Sequence, residues 1–534
     1  MASVCNHCRL RRRRCDRLRP QCSFCASQGV ECVYGQASDF NPSPLVQELM
    51  SIRERLEFIT PRLEARLQPS TRHDDAPTAA APTRNFPPLS IRSPHLMQIL
   101  GLPSNLASVL YRSEASVPPM TESSGEPTGI ESTDLILHRF REQVHRWYPV
   151  LHPDFTIQFF GSNTTGFPYS TQSCLSLLVS SLAGLGHDQL YCSHFKAALS
   201  MIPIVFQECS VASVQCLVLF SICFACRLQP RQAYTYIQAA CLKIQPLIKS
   251  PYLSQESSEY SLVTRLYWTI YLIESEIAMH LSLSSCGKTC RRQLATIPLP
   301  TSTYMWDYIA DSNSPWISSL SNTPPTGRPI EPLQSHFYFV TEVHLQLVLN
   351  NHVSLENDMP GPFRVNSLHT DGSLGPISPP VPLPDMPPSP NSPDAQPYHA
   401  QNLNGAVCLA KYHMYEVSAY WPAIYRIMLD GLVDSELLPY VPLFFESVTS
   451  FLCAAQITIG VCPAKTWFFS ASIYTISISA VRALEVPSLR CLAQPRLWEC
   501  LQASVGALRG PSEICPSVSY MLESLRDRLE RVRG

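Results

Sequence analysis

At 534 residues the chain exceeds what one hydrophobic core ordinarily organises, which excludes a single small module and implies a small unit joined to a larger one. Charged residues make up 15% and hydrophobic residues 45% of it, a core-rich balance that excludes a chain disordered throughout. The formal net charge of −2 hides a local concentration: residues 1–35 hold seven arginines (Arg9, Arg11, Arg12, Arg13, Arg14, Arg17 and Arg19) against Asp16 and Glu31.

The same stretch carries six cysteines, Cys5, Cys8, Cys15, Cys22, Cys25 and Cys32, in two halves of one form, C-x2-C-x6-C, separated by six residues. Thiolates two residues apart sit on a tight turn that presents both sulfurs to one tetrahedral ion. Two such pairs alone make an ordinary four-thiolate site. The third cysteine of each half raises the set to six, which suits two zinc ions sharing two bridging sulfurs. Between Cys8 and Cys15 runs Arg9-Leu10-Arg11-Arg12-Arg13-Arg14. Even after six thiolates and two zinc ions lower the formal charge by two, about +3 remains. A metal-fixed knob of that charge points to a polyanion.

These residues resemble the fungal binuclear zinc-cluster family of transcription factors. The resemblance rests on all six cysteine spacings, Arg9 after the second cysteine, the basic run, Asp16 after Cys15, Pro20 two residues before Cys22, and the closing Cys32-Val33-Tyr34. It implies that Cys5, Cys8, Cys15 and Cys22 hold one zinc and that Cys22, Cys25, Cys32 and Cys5 hold the other, with Cys5 and Cys22 bridging. It further implies that the first cluster helix enters the major groove of double-stranded DNA, with Arg11 and Arg12 at base edges and nearby phosphates. An arginine fork can bond guanine O6 and N7 together. The family usually has lysine at these positions, so the half-site sequence stays open. Arg9, Arg13, Arg14, Arg17 and Arg19 are assigned to phosphates, which position a reader without specifying sequence. His7 is a rival ligand, but it would have to displace a thiolate from six already in register, and a surface or phosphate-facing role is the expectation. The basic run also suits nuclear import.

Residues 36–44 form a polar linker, and the twelve residues from Val33 to Pro44 reach at most ~40 Å when extended. In 45–67, Leu45, Leu49, Ile52, Leu56 and Ile59 recur at 4-3-4-3 spacing, the seam of a two-stranded coiled coil. Pro61 ends or kinks that helix. A lone amphipathic helix packed on its own chain competes on so short a repeat; the resemblance implies a dimerising helix at this place, just past the knob and its linker, and a homodimer is the expectation. Residues 68–130, rich in Pro, Ala, Ser and Thr at their start, are read as a flexible linker.

Helical order is expected over 131–355. Leu137, Phe140, Val144, Tyr148 and Leu151 recur at three-to-four spacing, long apolar runs follow at 175–185, 211–226 and 233–247, and Leu262, Leu266, Ile270, Ile273, Ile277 and Leu281 stripe the segment 260–281. Two stretches here resemble the regulatory region of the same family: FREQVHRWYPVLHPDF, with its Pro-x-Leu-His turn, and TRLYWTIYLIESEIAMHL, with its arginine-x-aromatic-tryptophan pattern. The resemblance implies an all-α regulatory domain. Residues 356–399, with twelve prolines between Pro360 and Pro397, are read as a disordered Pro-rich insertion. Helical patterning over 400–534 completes the domain.

The fifteen cysteines outside the cluster show no paired framework and suit a reducing intracellular compartment. The apolar run 211–226 is too short for a membrane span and holds Ser213, Gln215 and Ser221. No P-loop, G-x-G-x-x-G, G-x-S-x-G or H-E-x-x-H pattern occurs, and a redox role for the C-x2-C pairs would need a βαβ context that the pattern lacks. The reading is therefore a mostly α, non-enzymatic nuclear regulator: a 1–35 zinc cluster with two zinc ions on DNA, a short coiled coil, and a large helical domain that recruits co-activators or transcription machinery, controlling a metabolic or secondary-metabolite gene set. The competing class is a zinc-stabilised interaction adaptor whose basic run serves only import.

Overall fold

Every regular element among the described residues is helical. The structure, a computed structural model, describes residues 8, 14–16, 18, 21–30, 32, 94–114, 133–157, 159, 169–185, 188–250, 257–281, 283, 297, 332–354, 403–430 and 437–533. The expected coiled coil (45–67), the Pro-rich insertion (356–399), Cys5, His7 and most of the basic run lie outside them. The chain divides into two units, Met1–Ile52 and Arg53–Gly534.

In the small unit, α1 (Ser23–Gln28) starts at Cys22, whose sulfur accepts from the Cys25 amide as an N-cap. It stops at Gly29, in the left-handed region at φ 63°, where a residue without Cβ closes the helix at no steric cost.

The large unit is a stack of helical hairpins. Its first part comprises α2 (Pro94–Ile99), α3 (Leu106–Ser113), α4 (Thr133–Phe140) with a π turn at Arg141–His145, α5 (Thr171–Ala183), α6 (Asp188–Ser200), α7 (Ile202–Gln207), α8 (Val211–Cys226), α9 (Pro230–Ile248) and α10 (Ser258–Leu281). Serines start two of these helices: Ser170 caps α5 at the Ser173 amide, and Ser210 forms a reciprocal box with Ser213 at α8. The second part comprises α11 (Pro332–Ser354), α12 (Leu403–Asp430), α13 (Tyr440–Val461), a 3-10 turn at Pro463–Lys465, α14 (Thr466–Leu484), α15 (Pro487–Arg490), α16 (Pro495–Ile514) and α17 (Pro516–Arg533). Neighbours pair as α8 with α9, α9 with α10, α12 with α13 and α16 with α17, while α10 also contacts α14 and joins the two parts.

The stripe on α10 predicts one buried face; the structure buries every residue from Leu262 to Leu281. This is possible because each polar group named here meets a partner from another segment of the chain. Arg265 donates to the carbonyls of Pro149 (3.0 Å) and Leu151 (3.3 Å). Glu274 accepts from Gln238, Ser275 meets Asn350, and His280 Nε2 lies 2.9 Å from Ser472 Oγ.

At the junction of the two parts lies a buried square of charge. Lys411 Nζ sits 2.6 Å from Glu276 and 2.8 Å from Glu342, and Lys465 Nζ sits 2.8 Å and 2.6 Å from the same two carboxylates. Both lysines are fully buried and the glutamates nearly so. Gln346 accepts from Lys411 at 3.0 Å, and Lys465 lies over the Tyr148 ring at 4.9 Å. Two positive and two negative charges cancel, which is the condition for burying any of them. The square ties α10, α11, α12 and the 3-10 turn together.

The reading of 68–130 as linker is corrected over 94–114. Leu96, Met97, Leu100, Leu106 and Leu110 are all in the core. Arg482 Nε donates to the Ile99 carbonyl (2.8 Å) and Arg528 Nη1 to that of Leu100 (2.7 Å). The buried carboxylate of Glu114 accepts from the Ser517 amide at the first turn of α17 (3.1 Å), a favourable place for negative charge. Helices of six and eight residues give too few turns for a periodic signal, and their caps come from some four hundred positions away.

Two other features depart from local rules. Pro422 lies inside α12 although proline removes a helix hydrogen bond; Trp421, Ala423, Ile424 and Ile427 around it are buried, and that packing holds the helix through to Asp430. The segments Tyr440–Val461 and Pro463–Leu484 are long and apolar enough to span a membrane, but the window in the second is 94% buried in protein, the state of a core helix.

Candidate metal and DNA-binding site

The small unit is built around its sulfurs. Cys8, Cys15 and Cys22 form one group and Cys22, Cys25 and Cys32 another, each with all sulfurs within 4.8 Å of one another. Cys22 belongs to both. Cys8 Sγ and Cys22 Sγ are 3.7 Å apart. For zinc–sulfur bonds of about 2.3 Å, a tetrahedral site has sulfur–sulfur edges of roughly 3.8 Å, so the spacing fits one ion held by both.

Backbone amides serve the same sulfurs. The Cys25 amide donates to Cys22 Sγ (3.4 Å) and the Cys22 amide to Cys32 Sγ (3.3 Å), and such donors favour the thiolate that metal binding requires. Cys8, Cys22 and Cys25 are fully buried and Cys15 and Cys32 half-buried, and among the described residues of this unit they form the core with Phe24 and Val30 packed against them. Three-sulfur groups that share a member fit the two-ion scheme that the spacing suggests, with Cys22 at the bridge.

Asp16 supplies an organising contact that the sequence reading quoted only as part of a motif. Both its carboxylate oxygens accept from the Ser23 amide, at 3.2 and 3.1 Å. Hydrogen bonding to Ser23 holds the Asp16 carboxyl below its ordinary value. The contact ties the chain after Cys15 to the start of α1, which carries Cys25. Gln21 Nε2 closes the far side on the Val30 carbonyl (2.8 Å). Of the arginines proposed for DNA, Arg14 is described, and it is exposed beside the cysteine groups. Arg9, Arg11, Arg12, Arg13, Arg17 and Arg19, the expected ligand Cys5, and the expected seam residues Leu45, Leu49, Ile52, Leu56 and Ile59 are outside the described residues.

The large unit offers different chemistry. A cavity of about 20 Å³ between Tyr148, Ile273, Glu276, Trp467 and Phe468 has room for one water molecule, well short of the several hundred Å³ of a small-molecule site. The charge square beside it was missed in the sequence. Its signal is a lone charge in an otherwise apolar run, as at Lys411 in VCLAKYHM and Lys465 in CPAKTWFF.

Comparison with known proteins gives the same two regions a name. Residues 3–40 match the fungal Zn(2)-Cys(6) binuclear cluster domain and residues 137–337 the fungal specific transcription factor domain. A candidate transcription factor of Aspergillus rugulosus, ecdB, is 27% identical over 590 aligned positions, covering 100% of this chain and 98% of that protein. A protein of Aspergillus terreus named as a transcription factor is 26% identical over 34% of this chain and 36% of its own length. A notoamide biosynthesis cluster transcriptional coactivator of Aspergillus versicolor, notQ', is 23% identical over 32% of each chain. No solved structure matches. With its six-cysteine module, which takes two zinc ions, and its helical domain later in the chain, the chain has the domain pair of the fungal binuclear zinc-cluster transcription factors.

Proposed function

We propose that this transcription regulator is a sequence-specific reader of double-stranded DNA that acts on RNA polymerase II genes of a metabolic or secondary-metabolite set. The observation that carries the reading is the pair of sulfur groups meeting at Cys22 directly beside a run of five arginines in six residues. Bound zinc supplies the cross-link that a module of this size cannot obtain from a core. The chain's own residues do the rest. Cys5, Cys8, Cys15, Cys22, Cys25 and Cys32 hold the metal, and Asp16 fixes the entry to α1. Arg11 and Arg12 read base edges, whereas Arg9, Arg13, Arg14, Arg17 and Arg19 neutralise phosphates.

In this reading Leu45, Leu49, Ile52, Leu56 and Ile59 pair two chains as a homodimer in the nucleus, and the helical domain engages co-activators or transcription machinery without catalysing a reaction. The metabolic assignment leans on the name of the Aspergillus versicolor relative, a biosynthesis cluster coactivator. That name also favours a second reading, an adaptor that joins a DNA-bound partner without reading bases itself. Selection of the zinc-loaded full chain on random DNA duplexes separates the two. An enriched motif, lost on chelation, supports the reader; retention of DNA with no enriched motif, or no retention, supports the adaptor.

A further inference from the structure

Helices α13 and α16 pack against each other, and across their contact the sulfur of Cys453 lies 3.5 Å from that of Cys500. Gln456, one turn beyond Cys453, fixes their register: its Nε2 donates to the Cys500 carbonyl (3.3 Å) and to Ser504 Oγ (3.1 Å). The two residues differ in exposure. Cys500 is 7% exposed, whereas Cys453 is half-buried.

The electrostatics sort them in the same sense. The hydrogen bond shared with Cys500 pulls the Cys453 thiol down against its partial burial, Arg496 and His413 add to the pull, and together they bring it to about 6. Arg496 stands one turn before Cys500 on α16. Cys500 is pushed the other way by its bond to Cys453, by burial and by Glu499. Burial also pushes up the thiols of Cys216, Cys226, Cys408, Cys462 and Cys515. A thiolate on a half-buried residue beside a cation, paired with a second thiol, is the arrangement of a reactive cysteine with its resolving partner.

We propose that Cys453 is a site of modification by hydroperoxides, that Cys500 is its resolving thiol, and that the pair closes to a disulfide between α13 and α16. The Cys453 thiolate attacks one oxygen of the peroxide, the O–O bond breaks, and hydroxide (or alkoxide) leaves, giving a sulfenic acid. The Cys500 sulfur then attacks that sulfur, loses its proton, and displaces the hydroxyl group as water. Two thiols are oxidised by two electrons and one peroxide is reduced. The sulfurs must close from 3.5 Å to about 2.05 Å. The bond closes a loop of 47 positions and clamps α13 to α16.

The test uses the full zinc-loaded chain. Iodoacetamide alkylation, followed peptide by peptide, is expected to label Cys453 on the order of tenfold faster than Cys216 or Cys226. Lowering the pH from 8 to 6.5 slows an ordinary thiol about twentyfold, but Cys453 by less than twofold. Hydrogen peroxide, at doses that leave zinc bound, is expected to produce a Cys453–Cys500 cross-linked peptide and raise the melting temperature, both reversed by dithiothreitol. In Cys500→Ser, a 1,3-diketone probe is expected to trap sulfenic acid at Cys453. Alkylation of Cys453 as slow as that of the buried thiols, or zinc loss before any cross-link forms, overturns the proposal. The alkylation measurement needs no variant and stands even if Cys500→Ser fails to fold.

Discussion

Arg265 donates through Nη1 to the carbonyl of Pro149, 3.0 Å away and 116 positions earlier in the chain. Its Nη2 reaches Leu151, and Gln215 takes the carbonyl between them, that of Val150, at 2.7 Å. Three consecutive carbonyls of one tight turn are thus satisfied by side chains of α8 and α10. The two stretches whose sequences resemble the family's regulatory region hold each other, and the arginine of one is the partner of the proline turn in the other. That gives a physical reason for the two motifs to occur together.

Replacing Arg265 by Met orphans two buried carbonyls and removes charged hydrogen bonds, and is expected to cost about 3 kcal/mol or more. Arg265→Lys should recover only part of this, since an ammonium lacks the planar fork that serves two acceptors at once. Urea unfolding of the two variants beside the parent measures both; equal stability of all three would show that the turn is held by other contacts.

The charge square makes a non-additive prediction. Lys411→Met leaves two carboxylates sharing one ammonium and is expected to cost about 3–5 kcal/mol. Adding Glu342→Gln restores neutrality, leaving the Lys465–Glu276 pair, so the double variant should lose less than the sum of the single losses. Burial pushes the Glu342 carboxyl up, but Lys411 and Lys465 together pull it down to about 2. Its contribution to stability is therefore present above the ordinary glutamate range and is lost as pH falls toward 2. A thermodynamic cycle showing simple additivity would remove the coupling.

His280 predicts a slope on the acid side. Burial alone lowers its imidazole from 6.5 to about 3, so the folded chain keeps it neutral while the unfolded chain takes up a proton. Stability from this group is complete above pH 6.5 and declines by about 1.4 kcal/mol per pH unit as pH falls toward 3. His280→Gln should unfold with a shallower pH dependence than the parent between pH 6.5 and 4.5. An unchanged slope would mean that His280 is protonated in the folded state.

Because Cys22 belongs to both sulfur groups, Cys22→Ala is expected to abolish binding of both zinc ions. Cys32→Ala leaves Cys8, Cys15 and Cys22 intact and should retain metal at the first position. Zinc content per chain after gel filtration reads the difference. Equal zinc content in the two variants would end the bridging role of Cys22.

For DNA, Arg12→Ala is expected to cost about 1–3 kcal/mol at the selected site and to relax the preference at one base position. Arg17→Ala should weaken all sequences alike and lower the salt slope by about one. Binding titrations on selected and scrambled duplexes at several salt concentrations distinguish the two behaviours. A uniform loss for Arg12→Ala would move it to the phosphate group.

The metal site was legible because its determinants are local. Six cysteines at fixed spacings describe a coordination sphere almost by themselves, and the structure adds the closeness of the sulfurs in the two groups that meet at Cys22 and the carboxylate of Asp16 on the Ser23 amide. The helices of the large unit were legible wherever three or more turns repeat an apolar pattern, as on α10 and α14. The strap of α2 and α3 was not, since its partners Arg482, Ser517 and Arg528 lie some four hundred residues downstream.

The amino-acid order by itself determined the zinc chemistry, the positive charge beside it and the helical character of the remainder, all properties of neighbours within a few turns. The tertiary structure alone decided which polar residues are buried and what neutralises them. Lys411, Lys465, Glu276 and Glu342 are ordinary surface residue types, and only the crossing of α10, α11, α12 and the 3-10 turn makes of them a closed square. Burial is a property of the assembled helices, because a charge leaves water only when packing brings its counter-charge to the same place.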